Sequence, residues 1–288
     1  MHKKNINRQK TAAVINDMSG LGRCSLTAAI PIISACNIRC CPVPTAILSN
    51  QTGYDSFYSV DFTQHMERYI DEWKKLDLHF DSILSGYLGN VKQVDIVRSF
   101  FEFYKEKNTT IIVDPVMGGN GELYPVFTEK MVGEMKKLIA MANIITPNIT
   151  EACLLTGMEY KNGSWNDDDL RPIARALADM GPEKIIITGI DYYLDKGSIS
   201  NYCLDVATGV GHIQSHKKFG EKRSGTGDIL ASLITAYAAY DIEFTESIDA
   251  ATDFIMEALE QTIDKNLDPR EGICFEEILA MTRYPIVR

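Results

Sequence analysis

The sequence predicts an α/β domain in three layers, a central and mostly parallel sheet with helices packed on both faces. Three observations predict it. Short β-rich runs alternate with helical runs along the whole chain. The strand runs are near-continuous in Val, Ile and Leu, the mark of strands buried on both faces. The links between runs are short, so successive strands lie parallel with helices as the crossovers.

The elements follow in order. "TAAVIND" (11–17) reads as the first strand and "SLTAAIPIISAC" as a helix despite Pro31. "IRCCPVPTA" is the next strand, then "FDSILSG", and "VKQVDIVRSFFEFYKEK" has helical spacing. "TTIIVDP" is a strand, "EKMVGEMKKLIAMA" a helix and "NIITP" a strand. "DLRPIARALADMG" leads into the strand "KIIITG", and "GSISNYCLDVATGVGHIQSHKK" has the character of a β-hairpin. Two helices, Asp228–Tyr240 and Ser247–Ile263, complete the order. No repeat, low-complexity linker or break in composition divides the chain, so residues 1–288 are expected to form one domain.

The bulk properties narrow the function classes. A net charge of -10 disfavours nucleic acid and membrane surfaces as partners, and 45% hydrophobic residues supply a large core. No run approaches the ~18 apolar residues of a membrane span. The start "MHKKNINRQK" is polar and does not read as a signal peptide. A cytoplasmic location is expected. The seven cysteines lack metal-ligand spacing and are expected to be reduced. The five histidines show no metal pattern either.

In a parallel sheet, ligands bind at the carboxyl ends of the strands. The polar motifs "NDMSG", "SGYLG", "DPVMGG", "TPNITE" and "TGID" all sit just after strands, so they are expected to converge on one edge. "SGTGDI" places Gly225, Thr226, Gly227 and Asp228 before an apolar helix. Glycines admit close backbone approach, and the first N–H groups of a helix with its dipole make an anion hole. A carboxylate beside such a hole can take a proton from an attacking hydroxyl while the N–H groups hold a transferring phosphoryl group. A plain glycine turn with Asp228 serving the helix N-terminus is the competing reading.

Asp114 ends a strand before Pro115, and Gly118, Gly119 and Gly121 suit a mobile loop over a ligand. Asp114 could hold magnesium directly or through water, or simply cap the turn. Asn148 and Glu151 stand at N-x-x-E spacing, which fits a capping box as well as a place near phosphates and metal. Thr52, Tyr54 and Tyr87 lie on Gly/Ser/Thr loops where aromatic rings could stack on a planar substrate or merely pack the loop. Lys222 and Arg223 could neutralise phosphate or be solvated. There is no phosphate-binding P-loop motif, and "GLGRCS" lacks the third glycine of the dinucleotide fingerprint, which disfavours a dehydrogenase.

Together and in this order, "DPVMG", "NITE" and "GTGD" resemble the ribokinase superfamily, and "LSNQTGY", "LSGYLG" and "DPVMGG" resemble its pyridoxal kinase branch. The resemblance spans nearly the whole chain. It implies a single ribokinase-like domain and ATP-dependent phosphorylation of the 5′-hydroxymethyl group of a vitamin B6 vitamer. It implies Asp228 as the base, the backbone of Gly225, Thr226 and Gly227 as the anion hole, and Asp114, Asn148 and Glu151 near the nucleotide phosphates. Asp114 and Glu151 would hold magnesium, and Thr188 would touch the nucleotide. Asp17, Thr52, Gly53 and Tyr87 would line the vitamer pocket. Magnesium, a monovalent cation and a homodimer are further implications.

Two positions depart from the branch: Asp17 stands where a serine is usual, and Gln51 where many relatives have histidine. Asp17 could pair with a ring substituent or an amine and shift the choice of vitamer. Hydroxymethylpyrimidine kinase is the nearest rival, although its glycine-rich N-terminal loop is missing. Sugar kinases carry an early di-glycine motif that is absent before Gly118–Gly119. A non-catalytic B6-binding protein would have no need of Asp228.

Overall fold

The computed structural model describes residues 8–283 except 106, 196 and 221, together with Ile286. Residues 1–7 of the polar N-terminal stretch lie outside the described residues. The elements run β1 (Thr11–Ser19), α1 (Ser25–Ala35), β2 (Arg39–Leu48), β3 (Ser59–Asp61), α2 (Thr63–Lys75), β4 (Ser82–Ser85) and α3 (Val91–Lys105). Then come β5 (Thr110–Val113), β6 (Gly118–Gly119), β7 (Glu122–Leu123), α4 (Glu129–Ile139), β8 (Ile144–Ile145), α5 (Ile149–Thr156) and α6 (Asp167–Ala178). The chain closes with β9 (Lys184–Ile190), β10 (Ser198–Asp205), β11 (Val210–Lys217), α7 (Thr226–Ala239) and α8 (Phe244–Ile263), followed by 3₁₀ turns Pro269–Glu271 and Glu276–Arg283.

Nine strands form one sheet in the order β11-β10-β9-β8-β5-β4-β1-β2-β3. The six from β9 to β2 are parallel, and the expected hairpin β10–β11 adds antiparallel strands at one edge. Side-chain alternation splits the core in two. Ala13 and Ile15 of β1 face the layer of α2 to α6, whereas Ala12 and Val14 face α1, α7 and α8. This is why the strands read as continuous apolar runs.

Pro42 and Pro44 lie in β2, where a missing N–H is tolerated only at an open edge. β3 covers only Ala46–Leu48, so the proline half of β2 has a free outer side, and the Tyr69 hydroxyl donates to the Pro42 carbonyl at 2.9 Å. Three features differ from expectation. α2 and β3 carry no expected element, because α2 is polar apart from buried Met66 and Ile70. α7 begins at Thr226, so Thr226 and Gly227 belong to its first turn. The Gly118–Gly121 stretch, expected as a mobile loop, is the hairpin β6–β7, turned by Asn120 (φ 55°) and Gly121 (φ 86°). An Asn-Gly pair with both φ positive is the turn that suits a tight hairpin. α5 ties it down: Thr150 Oγ1 accepts from the Gly121 N–H at 3.0 Å.

Candidate active site

The carboxyl ends of β1, β4, β5, β8 and β9 and the start of α7 meet at one edge, as the motif positions require. Gly225 caps α7 in the left-handed region at φ 80°, and a Cβ there would stand 1.8 Å from the Arg23 carbonyl oxygen. Only glycine lets the two segments approach this closely. A Cβ on Gly227 would lie 3.9 Å from Asp114 Oδ2, so the first turn of α7 faces the end of β5.

Asp228 is the third residue of α7 and is half-buried. Its Oδ1 accepts from Asn16 Nδ2 at 3.0 Å, and the Ser25 backbone N–H also donates to its carboxylate. Burial pushes its pKa up to about 6, with the charge of Asp17 adding and the Ser25 and Asn16 donors opposing. A carboxylate tuned toward neutrality is suited to receive a proton.

Asp114 is buried and held well above the usual carboxylate range, first by burial and then by the charges of Glu151 and Asp228. Glu151 is pushed up to about 7 by burial, against donors from Met117, Asn148 and Gly118 and the charge of Lys222. The structure thus brings Asp114, Glu151 and Asp228 into one electrostatic cluster. It also realises the capping box: Asn148 Oδ1 accepts from the Glu151 N–H at 3.0 Å and Glu151 Oε2 from the Asn148 N–H at 2.9 Å. Glu151 Oε1 accepts from the Met117 N–H at 3.0 Å, and Asn148 Nδ2 donates to the Gly118 carbonyl at 2.9 Å. The capping reading of this motif is thus realised, and the capping box stands beside Asp114. Thr188 bridges to Asn148 across the sheet edge and donates its N–H to the Pro147 carbonyl at 2.9 Å.

Among the described residues, no three His, Cys, Asp or Glu side chains are grouped to hold a metal. Asp114 offers a carboxylate crowded by like charge, whereas both oxygens of Glu151 accept from backbone N–H groups, so Glu151 would meet a metal through water. That donor set fits magnesium, which takes one or two carboxylates and completes its shell with water and phosphate.

At the ends of β1, β2 and β4, Tyr87 follows β4 and packs its ring on Phe127 at 5.7 Å. Asp17 is buried, with Ser25 Oγ donating to Oδ1 at 2.6 Å and Ser19 Oγ to Oδ2 at 2.9 Å. Both oxygens are thus engaged within the chain, and burial raises its pKa. Thr52 and Gly53 are exposed on the loop after β2, where Gln51 Oε1 accepts from the Gly53 N–H at 2.6 Å. Tyr54 does not stand free to stack on a ring: the Arg270 guanidinium covers it at 4.6 Å. Lys222 reaches toward Gly119 and Glu151, whereas Arg223 donates to the carbonyls of Leu267 and Gly272 and is a brace.

Two contributors escape sequence reading. Asn16 lies beside the flagged Asp17, and its signal is a buried polar side chain directly after the apolar run Ala12–Ile15. The turn Asp268–Gly272 has no motif, yet it gathers three site segments: Gln51 Nε2 donates to the Arg270 carbonyl, and the Arg23 and Ser224 N–H groups donate to Glu271 and Pro269.

Comparison with known proteins agrees with this geometry. The profile of the phosphomethylpyrimidine kinase family matches residues 23–271. A structure from Bacteroides thetaiotaomicron, described as a phosphomethylpyrimidine kinase in a form with pyridoxal, is 37% identical, covers 98% of each chain and superposes with a TM-score of 0.92. Pyridoxal kinase from Lactobacillus plantarum is 30% identical over 95% of this chain and 96% of its own, with a TM-score of 0.86. The Arabidopsis thaliana pyridoxal kinase is 26% identical over 79% of this chain and 72% of its own. The ribokinase-like fold is borne out, and the chain belongs to the phosphomethylpyrimidine kinase family.

Proposed function

We propose that this protein is an ATP-dependent kinase that phosphorylates the 5′-hydroxymethyl group of a vitamin B6 vitamer: pyridoxal, pyridoxine or pyridoxamine. The observation that carries the proposal is Asp228, a half-buried carboxylate with a pKa of about 6, placed at the N-terminus of α7. The similar Bacteroides structure with pyridoxal and the pyridoxal kinase from Lactobacillus support the choice of acceptor.

In this reading the acceptor hydroxyl lies between Asp228 and the first turn of α7. Its oxygen attacks the γ-phosphorus, the bond to the bridging oxygen of ADP breaks, and the hydroxyl proton passes to Asp228. The backbone N–H groups of Gly225, Thr226 and Gly227, with the α7 dipole, hold the negative charge of the moving phosphoryl group. Asp114, with Glu151 acting through water, would hold magnesium, which when bound neutralises phosphate charge. Asn148 and Thr188 border the nucleotide, and Lys222 supplies a cation near the phosphates. Tyr87, Thr52 and Gly53 would border the vitamer. Asp17, with both oxygens taken by serine hydroxyls, would act chiefly by bracing β1 against α1.

A monovalent cation, a cytoplasmic location and a homodimer complete the proposal. Exposed Phe57, Tyr58 and Val60 at the β3 edge would suit a subunit contact. Among the described residues no helix is long and apolar enough to cross a membrane.

Hydroxymethylpyrimidine presents the same primary alcohol, and the family description names its phosphate ester, a phosphomethylpyrimidine. The test is to incubate the protein with magnesium, ATP and each of the four alcohols, and to identify the phosphorylated product by mass spectrometry. A B6 5′-phosphate is expected. Exclusive phosphorylation of hydroxymethylpyrimidine would move the protein to thiamine synthesis.

A further inference from the structure

Asn16 sits within β1, one residue past the last pairing with β4 (Ile15 with Ser85), only 3% exposed and 212 residues in sequence from the carboxylate it touches. Its Oδ1 accepts from two backbone N–H groups, Asp17 at 3.0 Å and Tyr87 at 2.9 Å. Two donors aimed at one atom fix which end of the amide is oxygen, because the reverse orientation would set an NH₂ group against N–H groups. The Nδ2 group is therefore forced toward Asp228, where it donates to Oδ1 at 3.0 Å. The neighbouring strand makes room for this amide. A Cβ on Gly86 would stand 2.5 Å from Asn16 Nδ2, so the glycine before Tyr87 is needed for Asn16 to lie as it does.

We propose that Asn16 is a positioning residue for the base: its amide locks the Asp228 carboxylate in place and ties that placement to the Tyr87 side of the acceptor pocket. This rests on the reading of Asp228 as the proton acceptor. A purely structural strut would need only the two accepted bonds. The third bond, donated to a charged group, adds nothing to the joining of β1 and β4 and instead fixes the rotation of the reacting side chain.

The groups facing Asp228 come from every packed element: Asn16 and Asp17 from β1, the Cys24 thiol and Ser25 N–H from the start of α1, Asp114 after β5 and Tyr124 after β7. Asn16 and Ser25 favour the ionised carboxylate. The negative charge of Asp17 opposes it.

Two variants separate the roles. Asn16→Asp keeps both accepted bonds and the size of the side chain but replaces the donor by a carboxylate. Asn16→Ala removes all three bonds. Hydrogen bonds to charged groups contribute about 10- to 100-fold in equilibrium terms, so kcat for the vitamer should fall by about that factor in both variants, with KM for ATP moving less than about threefold. The acid limb of the pH–rate profile should move to higher pH, further for Asn16→Asp because a like charge then faces the base.

The Asp228 carboxyl is also to be titrated by ¹³C NMR in selectively labelled protein, assigned with Asp228→Asn, which needs no turnover. Its midpoint should lie near 6 in the wild type and rise in both variants. Unchanged midpoints and near wild-type kcat in folded variants would overturn the positioning role. Raised midpoints in a protein that phosphorylates none of the four alcohols would uphold the positioning and refute the substrate reading.

Discussion

Replacing Gly225 by alanine strikes the proposed anion hole without touching any side chain that could carry a proton. The residue has φ 80°, which costs an L-residue about 1–2 kcal/mol. The new Cβ would stand 1.8 Å from the Arg23 carbonyl oxygen, where ordinary contact begins near 3.4 Å, so the segments must part by more than about 1 Å. Neither is free to move. Arg23 donates its N–H to Glu271 at 3.1 Å and its Nε to Glu276 at 2.6 Å, and the Ser224 N–H is held by Pro269 at 3.2 Å. The first N–H groups of α7 therefore take up the shift. A displacement of about 1 Å in a reacting group costs on the order of 100-fold. The expected result is a fall in kcat of about that size, measured by ADP release in a coupled assay. The melting temperature should fall by several degrees, the sum of about 1–2 kcal/mol for the left-handed φ and about 1–3 kcal/mol for the overpacked contact. A folded Gly225→Ala protein with wild-type kcat would refute the role given to this backbone.

Other predictions test the surrounding groups. Glu151 has a pKa near 4.5 unfolded and about 7 folded, so its burial is free of cost below pH 4.5 and increasingly unfavourable as pH rises toward 7. Thermal stability of the nucleotide-free protein should therefore fall between pH 5 and 8 by an amount on the order of 3 kcal/mol, with a flatter slope in Glu151→Gln; identical slopes would remove Glu151 as the cause. Lys222→Ala should raise KM for ATP roughly 5- to 10-fold with little change in melting temperature, from loss of a phosphate-side charge. Arg223→Ala should do the reverse, lowering stability by about 1–3 kcal/mol through the orphaned Leu267 and Gly272 carbonyls. Arg270→Ala releases Tyr54 and should raise KM for the vitamer about 2- to 5-fold, the scale of an exposed cation–π contact, while KM for ATP holds. Equal changes in both KM values would contradict a role confined to the acceptor loop.

The sheet was legible because its strands are buried on both faces, which leaves a strong apolar signature in "TAAVI", "TIIV" and "KIIIT". The converging motifs were legible for a related reason: strand ends in a parallel sheet share one edge, so Asp114, Asn148, Glu151 and Asp228 had to meet. What escaped depends on distance in sequence or on weak local signal. α2 contributes mainly Met66, Ile70 and Thr63 to the interior, too few apolar positions to stand out among its charged residues. The β6–β7 hairpin is two residues per strand, and its Asn120-Gly121 turn read as loop glycine. Asn16 gains its meaning only from Asp228 and Tyr87, and Arg270 only from Tyr54, contacts that no local pattern encodes. Asp17 shows the opposite case. It stood out as a departure in the acceptor pocket, yet its neighbours Ser19 and Ser25 occupy both its oxygens.

In the proposed reaction Asp228 takes the hydroxyl proton of a B6 vitamer during phosphoryl transfer from ATP. The most direct measurement is the rate of pyridoxal, pyridoxine and pyridoxamine phosphorylation by wild type and Asp228→Ala, alongside ATP affinity by calorimetry. A loss of about 10²- to 10⁴-fold in kcat with ATP affinity nearly intact is expected. Near wild-type turnover in the folded variant would contradict it.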